Sequence, residues 1–185
     1  IPLRLVGSEM CIRDSFCSMQ IDLLYKNLGI KDMNAMQRSA FKMSENQRDL
    51  ILLSPTGSGK TLAFLFPTLR DLNPDVKGVQ TLILVPAREL ALQIETVFKS
   101  MKSDYKVTCC YGGHNTKVEQ NTLLEAPAVL IGTPGRIAYH LRNENFDPST
   151  VQTLILDEFD KALELGFQED MSFIVEQLSG LKQRI

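Results

Sequence analysis

The sequence predicts a doubly wound α/β fold, a parallel sheet with helices packed on both faces, and three observations carry that expectation. Short apolar runs alternate with longer stretches whose apolar residues recur at helical spacing. One apolar run, residues 50–53, leads into a glycine-bearing loop, Ser54-Pro55-Thr56-Gly57-Ser58-Gly59-Lys60-Thr61, and then into a helix-prone stretch over 62–70. Another, residues 151–156, ends on the acidic pair Asp157-Glu158. Polar chemistry therefore gathers where strands end, and open parallel sheets bind ligands beyond the carboxyl ends of their strands.

Taken in order, residues 1–15 stand apart. The stretch LVGSEMCIRDS over 5–15 looks like one reading frame of a sequencing adapter, the alternative being a genuine disordered N-terminus; either way 1–15 is set aside from fold reasoning, which leaves 16–185 as the domain. A helix over about 19–28 ends at Gly29, a left-handed cap, and a second over about 35–45 turns Met36, Ala40 and Phe41 toward a core. Strand 50–53 feeds the loop and its helix. A polar turn, Asn73-Pro74-Asp75 to Gly78, precedes strand 81–85, and Pro86 opens a helix from 87 to about 101 with Leu90, Ile94 and Phe98 at helical spacing. Strand 106–111 ends in Gly112-Gly113, and a helix over 116–124 precedes strand 128–131. Thr133-Pro134 has the form of an N-cap followed by proline at the first helical position, for a helix to about 143. Asp147-Pro148-Ser149 turns the chain into strand 151–156, helical sequence runs on to 178, and 182–185 resembles the start of a sixth strand.

Composition bounds the function. The 185 residues suit about one domain. No apolar stretch approaches the roughly 20 residues of a membrane span, and no secretory leader is evident, so the expected compartment is the cytoplasm. Cys11 and Cys17 are far from Cys109 and Cys110, and no C-x-x-C motif exists for zinc or redox chemistry. A net charge of −2 argues against non-specific attraction to nucleic acid, so any such binding must come from local placement of groups. His114 and His140 are isolated and have the character of structural or surface residues.

The loop 54–61 can turn its backbone N–H groups inward, and the following helix adds its positive end, which suits a polyphosphate. Lys60 would reach the β- and γ-phosphates, and Thr61 would place a hydroxyl on Mg²⁺. The strict pattern G-x-x-x-x-G-K-[ST] fails only at its first position, where Ser54 stands. Asp157 would hold the Mg²⁺ through water, and Glu158 would orient and deprotonate the attacking water.

Residues 54–61, Pro86-Ala87-Arg88-Glu89-Leu90-Ala91, Gly112-Gly113, Thr133-Pro134-Gly135-Arg136 and Asp157-Glu158-Phe159-Asp160 resemble, in order, the successive motifs of DEAD-box ATP-dependent RNA helicases of the bacterial type. The resemblance covers about 29–167. It implies the first of two RecA-like P-loop lobes, truncated before its last strands, which with a second lobe binds ATP-Mg²⁺ and single-stranded RNA and couples hydrolysis to duplex unwinding. It makes Lys60, Asp157 and Glu158 catalytic and Thr61 and Asp157 the metal-binding pair. Gln37 is similar to the family's adenine-reading glutamine, although Met33 and Asn34 stand where proline and threonine are usual. Pro86, Arg88, Glu89, Gly112, Gly113, Thr133, Pro134, Gly135 and Arg136 would form the RNA side, with contacts to phosphate and sugar rather than to bases. Ala87 occupies a threonine position, and Phe159 replaces a small alanine, so its ring must find room behind the site. The arginines that complete hydrolysis come in this family from the second lobe, so the chain alone is expected to bind nucleotide weakly and to turn it over negligibly. Two other readings are a one-lobed nucleotide- or RNA-binding module without catalysis and a different phosphate-loop ATPase. The second would need a Leu-Ser-Gly-Gly signature, which Leu178-Ser179-Gly180 does not complete.

Overall fold

The computed structural model describes residues 22–46, 48–55 and 57–185. Residues 1–15, the start of the first expected helix, Cys11, Cys17 and Thr56 lie outside the described residues.

Continuous apolar runs build the sheet. Strands β1 (Thr81–Leu84), β2 (Val107–Cys110), β3 (Val129–Gly132), β4 (Thr153–Leu156) and β5 (Gln183–Arg184) form one five-stranded sheet in the order β2-β3-β1-β4-β5, and every pairing is parallel. Successive side chains of a strand point to opposite faces. Leu82, Leu84, Leu130 and Leu154 therefore join one core, and Ile83, Val129, Ile131 and Ile155 join the other. Both faces are apolar, so both need a helical layer.

The first core is covered by α5 (Thr116–Leu124), α6 (Pro134–Arg142), α7 (Phe159–Glu164) and α8 (Gln168–Gln177), which contribute Leu123, Ile137, Leu141, Ala162, Met171 and Ile174. The second is covered by α1 (residues 22–28), α2 (Ala35–Met43), α3 (Lys60–Asp71) and α4 (Arg88–Ser100), with Phe64, Phe66, Ile94 and Phe98 inside it. The single helix expected after β4 is two helices, because Gly166 at φ +84° turns the chain between them. Gly132, the last residue of β3, is a close-approach glycine: a Cβ there would lie 2.5 Å from the carbonyl oxygen of Cys110.

The expected strand over 50–53 is not one. Residues 48–55 carry no regular secondary structure, and Ile51 and Leu53 are 84% and 89% exposed. Its start is held to β5, where Leu50 N donates to Arg184 O at 2.8 Å and Asp49 accepts from the Arg184 backbone N–H and guanidinium. Beyond that point the backbone has no neighbouring strand to pair with, because the β5 ladder is two residues long. The fifth strand of the sheet is thus β5, at the place where a sixth was expected. Between 49–54 and the end of β4 lies a groove of about 790 Å³, lined by Ile51, Leu53, Phe64, Ile155, Phe159 and Ile185 among others.

Candidate nucleotide and nucleic-acid edge

Because all strands run in one direction, their carboxyl ends share one edge, and the residues that follow β1, β2, β3 and β4 line it. The phosphate loop joins this edge from the side of the second core.

Gly57 and Gly59 take left-handed conformations, at φ +77° and +88°, and Gly59 is the N-cap of α3. The turn thereby delivers Lys60 and Thr61 as the first helical residues. Ser54 Oγ lies 2.6 Å from Ser58 Oγ, and Lys60 Nζ donates to Ser54 O at 3.0 Å. Ser54 thus serves the loop by closing it on itself. Lys60 and Ser54 share the large groove with Asp157, Glu158, Phe159 and Asp160.

Burial, reinforced by the Glu158 carboxylate, raises the Asp157 carboxyl above its ordinary range, and Lys60 pulls it the other way. Thr61 hydroxyl and Asp157 carboxylate are hard oxygen donors of the kind Mg²⁺ takes. Glu158 is at φ +50°, a left-handed conformation that a non-glycine residue adopts at a cost of about 1–2 kcal/mol. Its carboxylate accepts from Lys161 Nζ at 2.8 Å. Phe159 is 45% exposed at the groove rather than packed behind the site, because it opens α7 on the solvent side while Ala162 takes the buried position.

Gln37 is buried beneath the loop. Its Oε1 accepts from Asn34 N at 2.8 Å and its Nε2 donates to Gly59 O at 3.2 Å. Asn34 completes the capping box of α2 through Oδ1 and reaches Ser58 O with Nδ2 at 2.9 Å. The two amides therefore clamp the phosphate loop to α2, with both ends of the Gln37 amide engaged. Asn34, valued in the sequence only as a departure from threonine, is a working part of this clamp. Its signal was the Asn-x-x-Gln spacing at a helix start, the form of a capping box.

On the other half of the edge, Pro86 is buried, and Arg88 and Glu89 are exposed in the first turn of α4. Arg88 stands over the Tyr111 ring, 5.0 Å from its centroid. Gly112 and Gly113 are exposed, Gly113 at φ +83°. Thr133 is the N-cap of α6 and Pro134 its first residue, as the sequence predicts, but the Thr133 hydroxyl caps nothing; α4 likewise starts without a side-chain cap at Ala87. Gly135 lies near Asp170 and Phe167 on α8 and the turn before it. The first-turn N–H groups of two helices thus face the same edge, with the partial positive charge that favours a phosphate.

Arg136 does not extend to solvent. Its Nε donates to Tyr111 O at 3.1 Å, its Nη2 donates to His114 O at 2.6 Å, and its side chain lies 3.2 Å from Glu119 Oε2 with 13% exposure. Glu119 and His140 are buried with it, and Nε2 of His140 lies 2.8 Å from Glu119 Oε2. His140 is far from isolated. Glu119 and His140 had a sequence signal: each sits on the apolar stripe of its helix, Glu119 one turn before Leu123 and His140 between Ile137 and Leu141. Cys110 Sγ lies within 4.8 Å of the Glu119 and His140 ligand atoms, the one grouping of metal-ligating side chains found among the described residues. Arg136 already supplies the cation there, and burial with the Glu119 charge holds the Cys110 thiol protonated far above its ordinary range. Among the described residues no helix is long and apolar enough to cross a membrane.

Residues 34–185 match the family described as DEAD/DEAH box helicase. The chain is 37% identical over 155 residues to the ATP-dependent RNA helicase DeaD of Escherichia coli K12, an alignment that covers 82% of this chain and 25% of that protein. It thus spans about a quarter of the length of the curated relatives it matches. Two solved structures superpose closely. A hypothetical ATP-dependent RNA helicase from Sulfolobus tokodaii has a TM-score of 0.80 at 28% identity, covering 90% of this chain and 49% of that one. A yeast DEAD-box splicing factor has 0.81 at 28% identity, covering 89% and 42%.

Proposed function

The chain belongs to the DEAD/DEAH box helicase family, and from that premise we propose that it is the ATP-binding, RecA-like lobe of an ATP-dependent RNA helicase. The observation that carries the reading is the meeting of two chemistries on one edge of one sheet: a closed glycine loop whose Lys60 shares a groove with Asp157 and Glu158, and two uncapped helix N-termini beside a glycine turn.

On the nucleotide half, the loop N–H groups, Lys60 and the start of α3 would take the polyphosphate, and Thr61 and Asp157 would hold Mg²⁺, which would neutralise charge developing on the phosphoryl oxygens. Glu158 is the general base. Its left-handed backbone sets the carboxylate at the groove, and Lys161 holds it until a water molecule competes for it. On the RNA half, the starts of α4 and α6, with Arg88, Glu89, Gly112, Gly113, Thr133, Pro134 and Gly135, bind sugar and phosphate, so sequence selectivity is low. Arg136 contributes from within, by shaping the glycine turn. ATP, Mg²⁺, single-stranded RNA and a second lobe of the same protein are the partners this reading requires, the cytoplasm is its compartment, and residues 16–185 are its lobe.

The test is a titration of the chain with ADP and GDP in Mg²⁺, beside Lys60→Ala and Gln37→Ala. ADP binding abolished by Lys60→Ala supports the phosphate site. Loss of the preference for ADP over GDP in Gln37→Ala makes Gln37 the adenine reader, and an unchanged preference leaves it as the loop clamp alone. No nucleotide binding by folded protein would sink the proposal.

A further inference from the structure

The glycine turn over 112–113 has no side chains with which to hold itself, and glycine is the residue with the most backbone freedom to lose. Its fixed points are its two flanks, and both lead to the same buried cluster. Tyr111 N donates to Glu119 Oε1 at 3.1 Å, while Tyr111 O and His114 O accept from Arg136. His114 Nδ1 lies 3.3 Å from the same Oε1. Arg136 belongs to the first turn of α6, so its fork ties that helix start to the turn, and Glu119 Oε2 balances its charge.

The other donor to Oε2 is His140, one turn further along α6. Its Nδ1 lies 2.9 Å from Asn145 Nδ2, an arrangement in which Nδ1 accepts and Nε2 carries the hydrogen toward Glu119. Asn145 is itself anchored by its backbone N–H to His140 O at 3.0 Å. An ionised carboxylate offers about four acceptor sites, and Glu119 has four polar groups around it, drawn from two segments of the edge. At 1% exposure its carboxylate cannot touch RNA.

We propose that Glu119 is a positioning residue for RNA: through Arg136 and Tyr111 N it locks the 112–114 turn and the start of α6 into one rigid phosphate-binding unit, with His140 holding its carboxylate in place. The inference rests on the RNA reading above. Backbone N–H groups bind a phosphate well only when held in place beforehand, since any ordering on binding subtracts from affinity.

The test uses the full-length protein and a fluorescein-labelled 20-nucleotide polyuridine strand, with ADP affinity and the RNA dependence of ATP hydrolysis measured in parallel. Glu119→Gln, the same shape without the charge, raises the RNA dissociation constant and the KM for RNA at least tenfold, with kcat at saturating RNA retained and ADP affinity within twofold. His140→Leu weakens RNA binding at least threefold, and His140→Gln, whose amide can donate in place of Nε2–H, recovers most of it. If Glu119→Gln fails to fold, the His140 pair carries the test. RNA binding unchanged in Glu119→Gln or His140→Leu overturns the inference, as does a fall in ADP affinity parallel to that for RNA, which would make the cluster a general stabiliser. Wild-type protein that binds ADP but no RNA overturns the RNA reading itself.

Discussion

The two halves of the strand-end edge are built in opposite ways. The proposed RNA half is locked: Glu119 and His140 are buried, Arg136 is mostly so, the three satisfy one another, and Gly132 is packed against the neighbouring strand. The proposed nucleotide half is open, with Ile51 and Leu53 in solvent, Glu158 in a strained backbone and a large groove between the glycine loop and β4. The difference teaches that the surface proposed for a repetitive, featureless ligand, the RNA backbone, is formed in advance. The surface proposed for chemistry keeps strain and space.

The comparison can be broken most forcefully at Glu119. Glu119→Leu leaves Arg136, Tyr111 N and His140 without their shared acceptor, and should cost about 3–5 kcal/mol in urea unfolding, the range for removing one partner of a buried ion pair. A loss under about 1 kcal/mol would mean the locked half is not locked. Gly132→Ala drives a methyl group against Cys110 O and Ile137 and should cost about 1–3 kcal/mol, the range for overpacking, read in the same assay. Glu158→Gly should change the sign. Relief of the left-handed strain stabilises the fold by about 1 kcal/mol in thermal unfolding, while RNA-stimulated ATP hydrolysis by the full-length protein is lost. Destabilisation there would remove the argument that the nucleotide half stores strain.

The smallest effect concerns Cys109, at the back of the RNA half. Burial, with Glu95 adding to it and Lys99 opposing, pushes its thiol up to about 12. A raised folded-state value means that the unfolded chain ionises first, from about pH 8.5. Its stabilising contribution is therefore full below that pH and fades as pH rises toward about 12. Cys109→Ala should flatten that alkaline decline measured by denaturant titration, and alkylation of the wild-type thiol at pH 8 should be slow unless the protein is unfolded.

Much of this was legible along the chain. Four of the five expected strands form the ladder, because continuous apolar runs bounded by turns have few alternatives to a doubly covered parallel sheet. The starts of α4 and α6 follow from Pro86 and Thr133-Pro134, and the phosphate turn from Gly57 and Gly59, all local signals carried by φ preferences and missing N–H groups.

Four features escaped. Residues 50–53 have the composition of a strand, but a strand exists only where a neighbour accepts its hydrogen bonds. Gln37 has the position of an adenine reader, yet its amide is engaged by Asn34 and Gly59, partners separated from it by 3 and 22 residues. Arg136 has the charge for a phosphate and spends it inside, and His140 lies against Glu119, 21 residues earlier in the chain. By itself the sequence determined which segments turn, which extend and which edge collects the chemistry, because backbone preference and hydrophobic period act over a few residues. Only the tertiary structure decided which polar groups meet, because a buried charge takes whichever partner the packing brings within reach.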